Sequence, residues 1–203
     1  MKKLESNFKN MVLALSSITL FAALALGSVY TLTKDPIAVS KMAKQQNAIK
    51  DVLPPYDHFN QNAIEVNDGV EILKVYKAYD KSNVFVGAAV ESSSNNGFSG
   101  KISLMVGFDK AGTIVNYSVL EQKETPGLGA KMVNWFKKNN KSQSIIGKNL
   151  ATANLSVSKD GGEIDAITAA TISSRAFLFA IRNAYLAYSQ NSGNQQCDSV
   201  KVK

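Results

Sequence analysis

Ile102-Ser103-Leu104-Met105-Val106-Gly107-Phe108 is followed by Asp109-Lys110-Ala111-Gly112 and then by the second apolar run from Thr113 to Leu120. Two such runs on either side of an Asp/Gly turn read as a β-hairpin. Strands joined this directly must run antiparallel, and an antiparallel sheet can leave a face for helices to cover. The chain around the hairpin carries more of the same texture. Ile64-Glu65-Val66 is a short strand, Glu71 to Tyr79 a longer one that partly alternates, and Asn83 to Val90 a third with Gly87 inside it. Ser92-Ser93-Ser94-Asn95-Asn96-Gly97 has the composition of a turn and is expected as a polar loop.

Helices gather after the strands. A short one is expected around Met132 to Lys138 and a long one from about Thr171 to Tyr188. Phe177, Ile181, Ala184, Tyr185 and Tyr188 recur on the long one at spacings of three and four, the stripe a helix needs to pack on a sheet. Strands first and helices afterwards is the α+β pattern.

Before the domain lies a different segment. Met11 to Leu32 carries no charge and is bounded by Lys9 and Lys34. A helix of that length is about 33 Å long, enough for a bilayer core. A cleaved leader is the other reading, but this run outlasts the roughly 7–15 apolar residues of a leader and stays apolar beyond Ala23-Leu24-Ala25. Lys2, Lys3 and Lys9 against Glu5 put the N-terminus in the cytoplasm and everything after Lys34 outside. The expected organisation is therefore a cytoplasmic segment over 1–10, a transmembrane helix over 11–33, a stalk over 34–60, a domain over 61–190 and a flexible tail over 191–203. Within the stalk, Asp35 to Val52 reads as an amphipathic helix ended by Pro54-Pro55, with Ile37, Met42, Ala48, Ile49 and Val52 as its apolar stripe.

Composition narrows the chemistry. The formal charge is +7, yet the basic residues are nearly all dispersed lysines and the only arginines are Arg175 and Arg182. That distribution argues against a nucleic-acid partner. One cysteine, Cys197, and one histidine, His58, leave no intrachain disulfide and no thiolate or histidine cluster for a metal. Two stretches then stand apart from core packing. Glu124-Thr125-Pro126-Gly127-Leu128-Gly129-Ala130 follows a strand and combines a stiff proline with two permissive glycines. Asp165-Ala166-Ile167-Thr168-Ala169-Ala170-Thr171-Ile172-Ser173-Ser174-Arg175 places small residues and two threonines at a helix start. Thr168 could be a plain cap for the N–H of Thr171, or the free amides there could receive an anionic group.

These two stretches behind a single membrane helix, together with Gly97-Phe98-Ser99-Gly100 and Met105-Val106-Gly107-Phe108-Asp109, resemble the G subunit of the Rnf-type electron-transport complex. That complex is an ion-translocating ferredoxin:NAD oxidoreductase, and its near relative is the C subunit of the sodium-translocating NADH:quinone reductase. The resemblance implies FMN joined through its phosphate to the hydroxyl of Thr171. Thr168 stands where the family has serine, Ala169 where it has glycine, Ala170 completes the motif, and Asp165 is its acid. It further implies that Glu124, Thr125, Gly127 and Leu128 edge the flavin ring. Arg175 is expected against the phosphate, against Asp165 or on the surface, and Trp135 either near the flavin or in the packing. The implied partners are the other subunits of the membrane complex and a flavin transferase that attaches the FMN. The chain would be a redox subunit that turns over no substrate alone. A quinone-reductase C subunit and a cofactor-free membrane-anchored scaffold are the alternatives.

Overall fold

The computed structural model describes residues 7–61, 63–67, 72–138, 140 and 142–191. Its elements in chain order are α1 (Phe8–Val52), β1 (His58–Phe59), β2 (Ile64–Asn67), β3 (Ile72–Tyr79), β4 (Phe85–Gly97), β5 (Gly100–Asp109), β6 (Ile114–Glu121), α2 (Met132–Trp135) and α3 (Thr171–Asn191). The chain divides into two compact units, one ending at Lys44 and one beginning at Gln45. Lys2, Lys3, Glu5, Cys197 and the tail expected over 191–203 fall outside the described residues, apart from Asn191 at the end of α3.

The first unit contains the apolar part of α1, long and apolar enough to cross a membrane. Its large side chains, Leu13, Phe21 and Leu26 among them, are exposed. Its hydroxyls bond backward within the helix: Ser17 donates to the Leu13 carbonyl, Ser28 to that of Leu24, and Thr33 to that of Val29. Hydrocarbon offers no other acceptor, so such internal bonds are what a spanning helix requires.

The second unit is built on the hairpin. β5 and β6 pair antiparallel, with Val106 opposite Tyr117. The Asp109 carboxylate secures the turn by accepting the N–H groups of Ala111 and Thr113. The sheet order is β1-β3-β4-β5-β6, with β2 also paired to β3, and every strand pairing is antiparallel. Alternation then sorts side chains between two faces. Ile102, Leu104, Val106 and Phe108 join one core with Phe177, Ile181 and Ala184 of α3, all of them essentially inaccessible. Ring contacts extend that core, with Phe136 stacked on Phe177 at 4.4 Å and Tyr117 edge-on to it at 5.0 Å.

The other face of the sheet is also covered. Ala48, Ile49, Val52 and Leu53 pack on Tyr76, Ala78, Ala89 and Met105. The apolar stripe expected on the stalk therefore divides: Ile37 and Met42 are exposed, and Ala48, Ile49 and Val52 are buried in the folded unit. Gln45 fixes the start of this layer by donating to the Glu91 carboxylate at 2.6 Å and to the Tyr76 hydroxyl at 3.0 Å. Gly107 lets the end of α1 lie flat on the sheet, because a Cβ there would overlap the carbonyl of Val52.

One expectation fails here. Ser92 to Gly97 is not a loop; it completes the strand β4, and the reversal is the two-residue link Phe98-Ser99. Serines suit that strand because α3 lies close over them. Ser92 and Ser94 are each 2% exposed, and the Ser92 hydroxyl donates to the Ala180 carbonyl at 2.9 Å. A polar run can be a buried strand when its polar atoms find partners.

Candidate functional site

Residues 165–170 lead into α3 with a local hydrogen-bond system of their own. Ser174 reaches back one turn: its hydroxyl accepts the Ile167 N–H at 2.9 Å and donates to the Ala170 carbonyl at 2.9 Å. The segment is thus closed by Ser174, not by Thr168, and the capping bond from Thr168 to the Thr171 N–H does not form. Thr168 is exposed, and its hydroxyl has no hydrogen bond to any described residue. The backbone N–H groups of Thr171, Ile172 and Ser173 also have no partner among the described residues, as expected of the first turn of a helix. Those amides and the helix dipole favour an anionic group beside Thr171.

Ala169 turns the chain at φ 60°, in the left-handed region. An L-residue there gives up roughly 1–2 kcal/mol that glycine does not. Ala169→Gly should therefore stabilise the unit, with part of the gain offset by the greater freedom of glycine in the unfolded chain. A net gain of about 0.5–1 kcal/mol, read as a melting temperature raised by about 1–4 °C, is the expected outcome of a thermal scan.

Two cavities meet at this helix start. The first, ≈ 330 Å³, is lined by Glu124, Thr125, Leu128, Ala169, Ala170 and Thr171 of the expected site. Phe98, Gly129, Ile172 and Ser173 complete it. Its volume falls within the range of small-molecule sites, about 300–1,000 Å³. Phe98, Leu128 and Ile172 give it an exposed apolar rim. The second cavity, ≈ 410 Å³, is more polar and is lined in part by Trp135, Ser158, Lys159, Asp165 and Thr168. Thr171 and Ala169 line both. Thr171 is half-buried at this shared edge, and its hydroxyl has no hydrogen-bond partner among the described residues.

The loop from Glu124 to Gly129 forms the opposite wall of the first cavity. Pro126 and Gly127 occupy the centre of a turn closed by the Leu128 N–H on the Thr125 carbonyl, at 3.1 Å. Gly127 sits at φ 78°, the left-handed position this kind of Pro-Gly turn requires. Gly127 shapes the turn and lines neither cavity.

Arg175 is elsewhere. Its guanidinium forks onto Asp160, with Nε to Oδ2 at 2.8 Å and Nη2 to Oδ1 at 2.7 Å, so the expected pairing with Asp165 does not occur. Asp160 lies in the turn before the motif, where its two oxygens match the guanidinium fork. This bond and charge hold the Asp160 carboxyl below the ordinary carboxylate range. Asp165 instead accepts the Ser158 hydroxyl at 3.3 Å and offers its carbonyl to Trp135 Nε1 at 3.0 Å. Trp135 is therefore both partly packed on the main core and a wall of the second cavity.

Sequence reasoning did not single out Phe98, Ile172 or Ser173 as site residues. A large aromatic between Gly97 and Gly100 was the available signal for Phe98.

A model of the FMN-binding domain family matches residues 97–186, a span that contains every residue lining either cavity. The G subunit of the ion-translocating oxidoreductase complex of Haemophilus influenzae (strain PittEE) is 34% identical over 199 residues, covering 93% of this chain and 94% of the relative. The protein of the same name from Aliivibrio fischeri (strain MJ11) is 32% identical over 195 residues, covering 88% of each chain. That of Yersinia pestis is 33% identical over 187 residues, covering 84% of this chain and 86% of the relative.

Proposed function

The chain belongs to the family of G subunits of ion-translocating oxidoreductase complexes, and from that membership we propose that it is a membrane-anchored electron-carrying subunit with FMN attached through phosphate to Thr171. The observation that carries this reading is the Thr171 hydroxyl, unpartnered among the described residues, at an edge common to two cavities and beside free helix-start amides. FMN supplies one- and two-electron redox chemistry when bound.

The residues divide the work of holding it. Thr171 contributes the oxygen of the phosphoester, and the amides of its turn balance the remaining phosphate charge. Phe98, Leu128 and Ile172 offer an apolar lodging for a ring and limit water there. Asp165, Ser158 and Lys159 face the second cavity, the polar side from which a flavin transferase would reach the hydroxyl. Attachment by phosphate leaves the ring system unmodified, and a covalent bond prevents loss of the cofactor outside the cytoplasm. An FMN domain on the outer side of an anchor over 11–33 is the orientation that the lysines preceding it support. Electrons would pass between this flavin and neighbouring subunits of a ferredoxin- and NAD-linked complex that moves ions across the membrane.

The intact mass of the chain from membranes that contain the transferase tests the attachment. A species heavier by one FMN less one water, with the addition on the peptide bearing residue 171, is expected; an unmodified chain would overturn it. Arg175 supplies a second test. Because it is committed to Asp160, Arg175→Gln should leave flavin labelling at the wild-type level. Any stability lost in that variant should vanish with acid: the depressed Asp160 pKa gives a contribution present at neutral pH and lost as pH falls through the folded-state value.

A further inference from the structure

Glu124 is a carboxylate that lies almost wholly inside the protein, at 5% exposure, on the wall of the first cavity. Each oxygen has its own donor. Oε1 accepts the backbone N–H of Ser99 at 3.0 Å, and Oε2 accepts the Ser173 hydroxyl at 2.6 Å. Ser99 belongs to the reversal between β4 and β5, and Ser173 to the first turn of α3. One side chain thus joins three segments distant in sequence.

The chain is shaped around this carboxylate. A Cβ at Gly129 would come within 2.7 Å of Oε2 and 2.6 Å of the Ser173 hydroxyl, and one at Gly97, which would first meet the Gly100 carbonyl, would come within 2.7 Å of Oε1. Glu124 is itself steadied by its N–H, which donates to the Gln122 side chain at 2.6 Å. The reversal needs such a tie because the β4–β5 register is already irregular between Ser94 and Gly97, and Phe98 at its tip is 68% exposed.

We propose that Glu124 is a positioning residue: its carboxylate clasps the β4–β5 tip to the start of α3 and so holds Phe98 as the wall of the cavity facing Thr171. This rests on the reading of that cavity as the flavin site, and it assigns Glu124 to the shape of the site in place of a direct contact with the ring. A buried donor left unmatched is costly, so the clasp should dominate the mobility of the tip.

Hydrogen exchange of the full chain in detergent, carried out in a Thr171→Ala background that carries no flavin, tests the clasp apart from the cofactor. Glu124→Ala should speed exchange of the peptide covering 97–101 by at least about tenfold, while β5 amides keep their protection. Glu124→Gln retains an acceptor for the Ser99 N–H and should stay within about twofold of the parent. Ser173→Ala removes one of the two bonds and should give an intermediate rate, which keeps the test alive if Glu124→Ala does not fold. With Thr171 restored, labelling should fall in Glu124→Ala and be rescued in Glu124→Gln. Unchanged tip exchange in Glu124→Ala, or in Ser173→Ala where Glu124→Ala does not fold, would overturn the clasp. So would a Glu124→Gln tip as mobile as that of Glu124→Ala, since charge would then matter more than the bonds. Failure of the flavin reading would show separately, as wild-type chain without label.

Discussion

Thr171→Ala should abolish covalent flavin on this protein. Denatured wild-type chain from membranes that contain the transferase should run as a flavin-fluorescent band near 21.9 kDa plus the cofactor, and the variant should be dark. The effect should be all-or-none, because an ester needs the hydroxyl oxygen and alanine has none. Thr171→Ser keeps that oxygen and should retain label, at a level that reports how strictly the transferase reads the missing methyl. The fold should be spared in both. Thr171 makes no side-chain hydrogen bond to a described residue, and the helix start is closed by Ser174 acting on Ile167 and Ala170. Matching melting curves of the flavin-free proteins would establish that the loss is chemical. Label persisting in Thr171→Ala would move the attachment to another hydroxyl, and Thr168, exposed and without a hydrogen-bond partner among the described residues, is the first candidate.

The second large effect is on stability. Gly107→Ala places a Cβ on the carbonyl of Val52, and the neighbours it meets are mostly backbone, which cannot turn aside as a side chain can. The end of α1 would have to lift from the sheet, uncovering Tyr76, Ala78, Ala89 and Met105. Overpacking commonly costs 1–3 kcal/mol and more where backbone must move, so a loss of about 3 kcal/mol or more is expected. Gly147→Ala is the control. It has φ 77° but open space around its Cβ, so it should cost only about 1–2 kcal/mol from the left-handed backbone. Urea midpoints on the flavin-free protein, with proteolysis between residues 45 and 60, would separate the two.

Much of the domain could be read from residue order because its signals are periodic. The 102–120 hairpin is marked by two apolar runs about an Asp/Gly turn, and the stripe from Phe177 to Tyr188 fits one side of a helix. Ser92 to Gly97 could not be read that way. Its burial depends on α3, which folds over it from far along the chain, and the partner of the Ser92 hydroxyl is a helix carbonyl. The site was legible in its two motifs and opaque in its contacts. That Glu124 meets Ser99 and Ser173, or that Arg175 meets Asp160, depends on tertiary placement that no spacing rule contains. Phe98 shows the same limit: its flanking glycines signal a reversal, but only the folded chain brings the exposed ring between them to the cavity.

The hydroxyls of the membrane segment bear on assembly. Ser17, Thr19, Ser28, Thr31 and Thr33 all donate to carbonyls of their own helix. A hydroxyl so committed has no proton left to offer a neighbouring helix. Lateral recognition in the bilayer then falls largely to contour, where the bare backbone at Gly27 and the low relief of Ala23, one turn before it, would let another helix approach closely. Bulky replacements on that surface should disrupt association more than removal of any single hydroxyl.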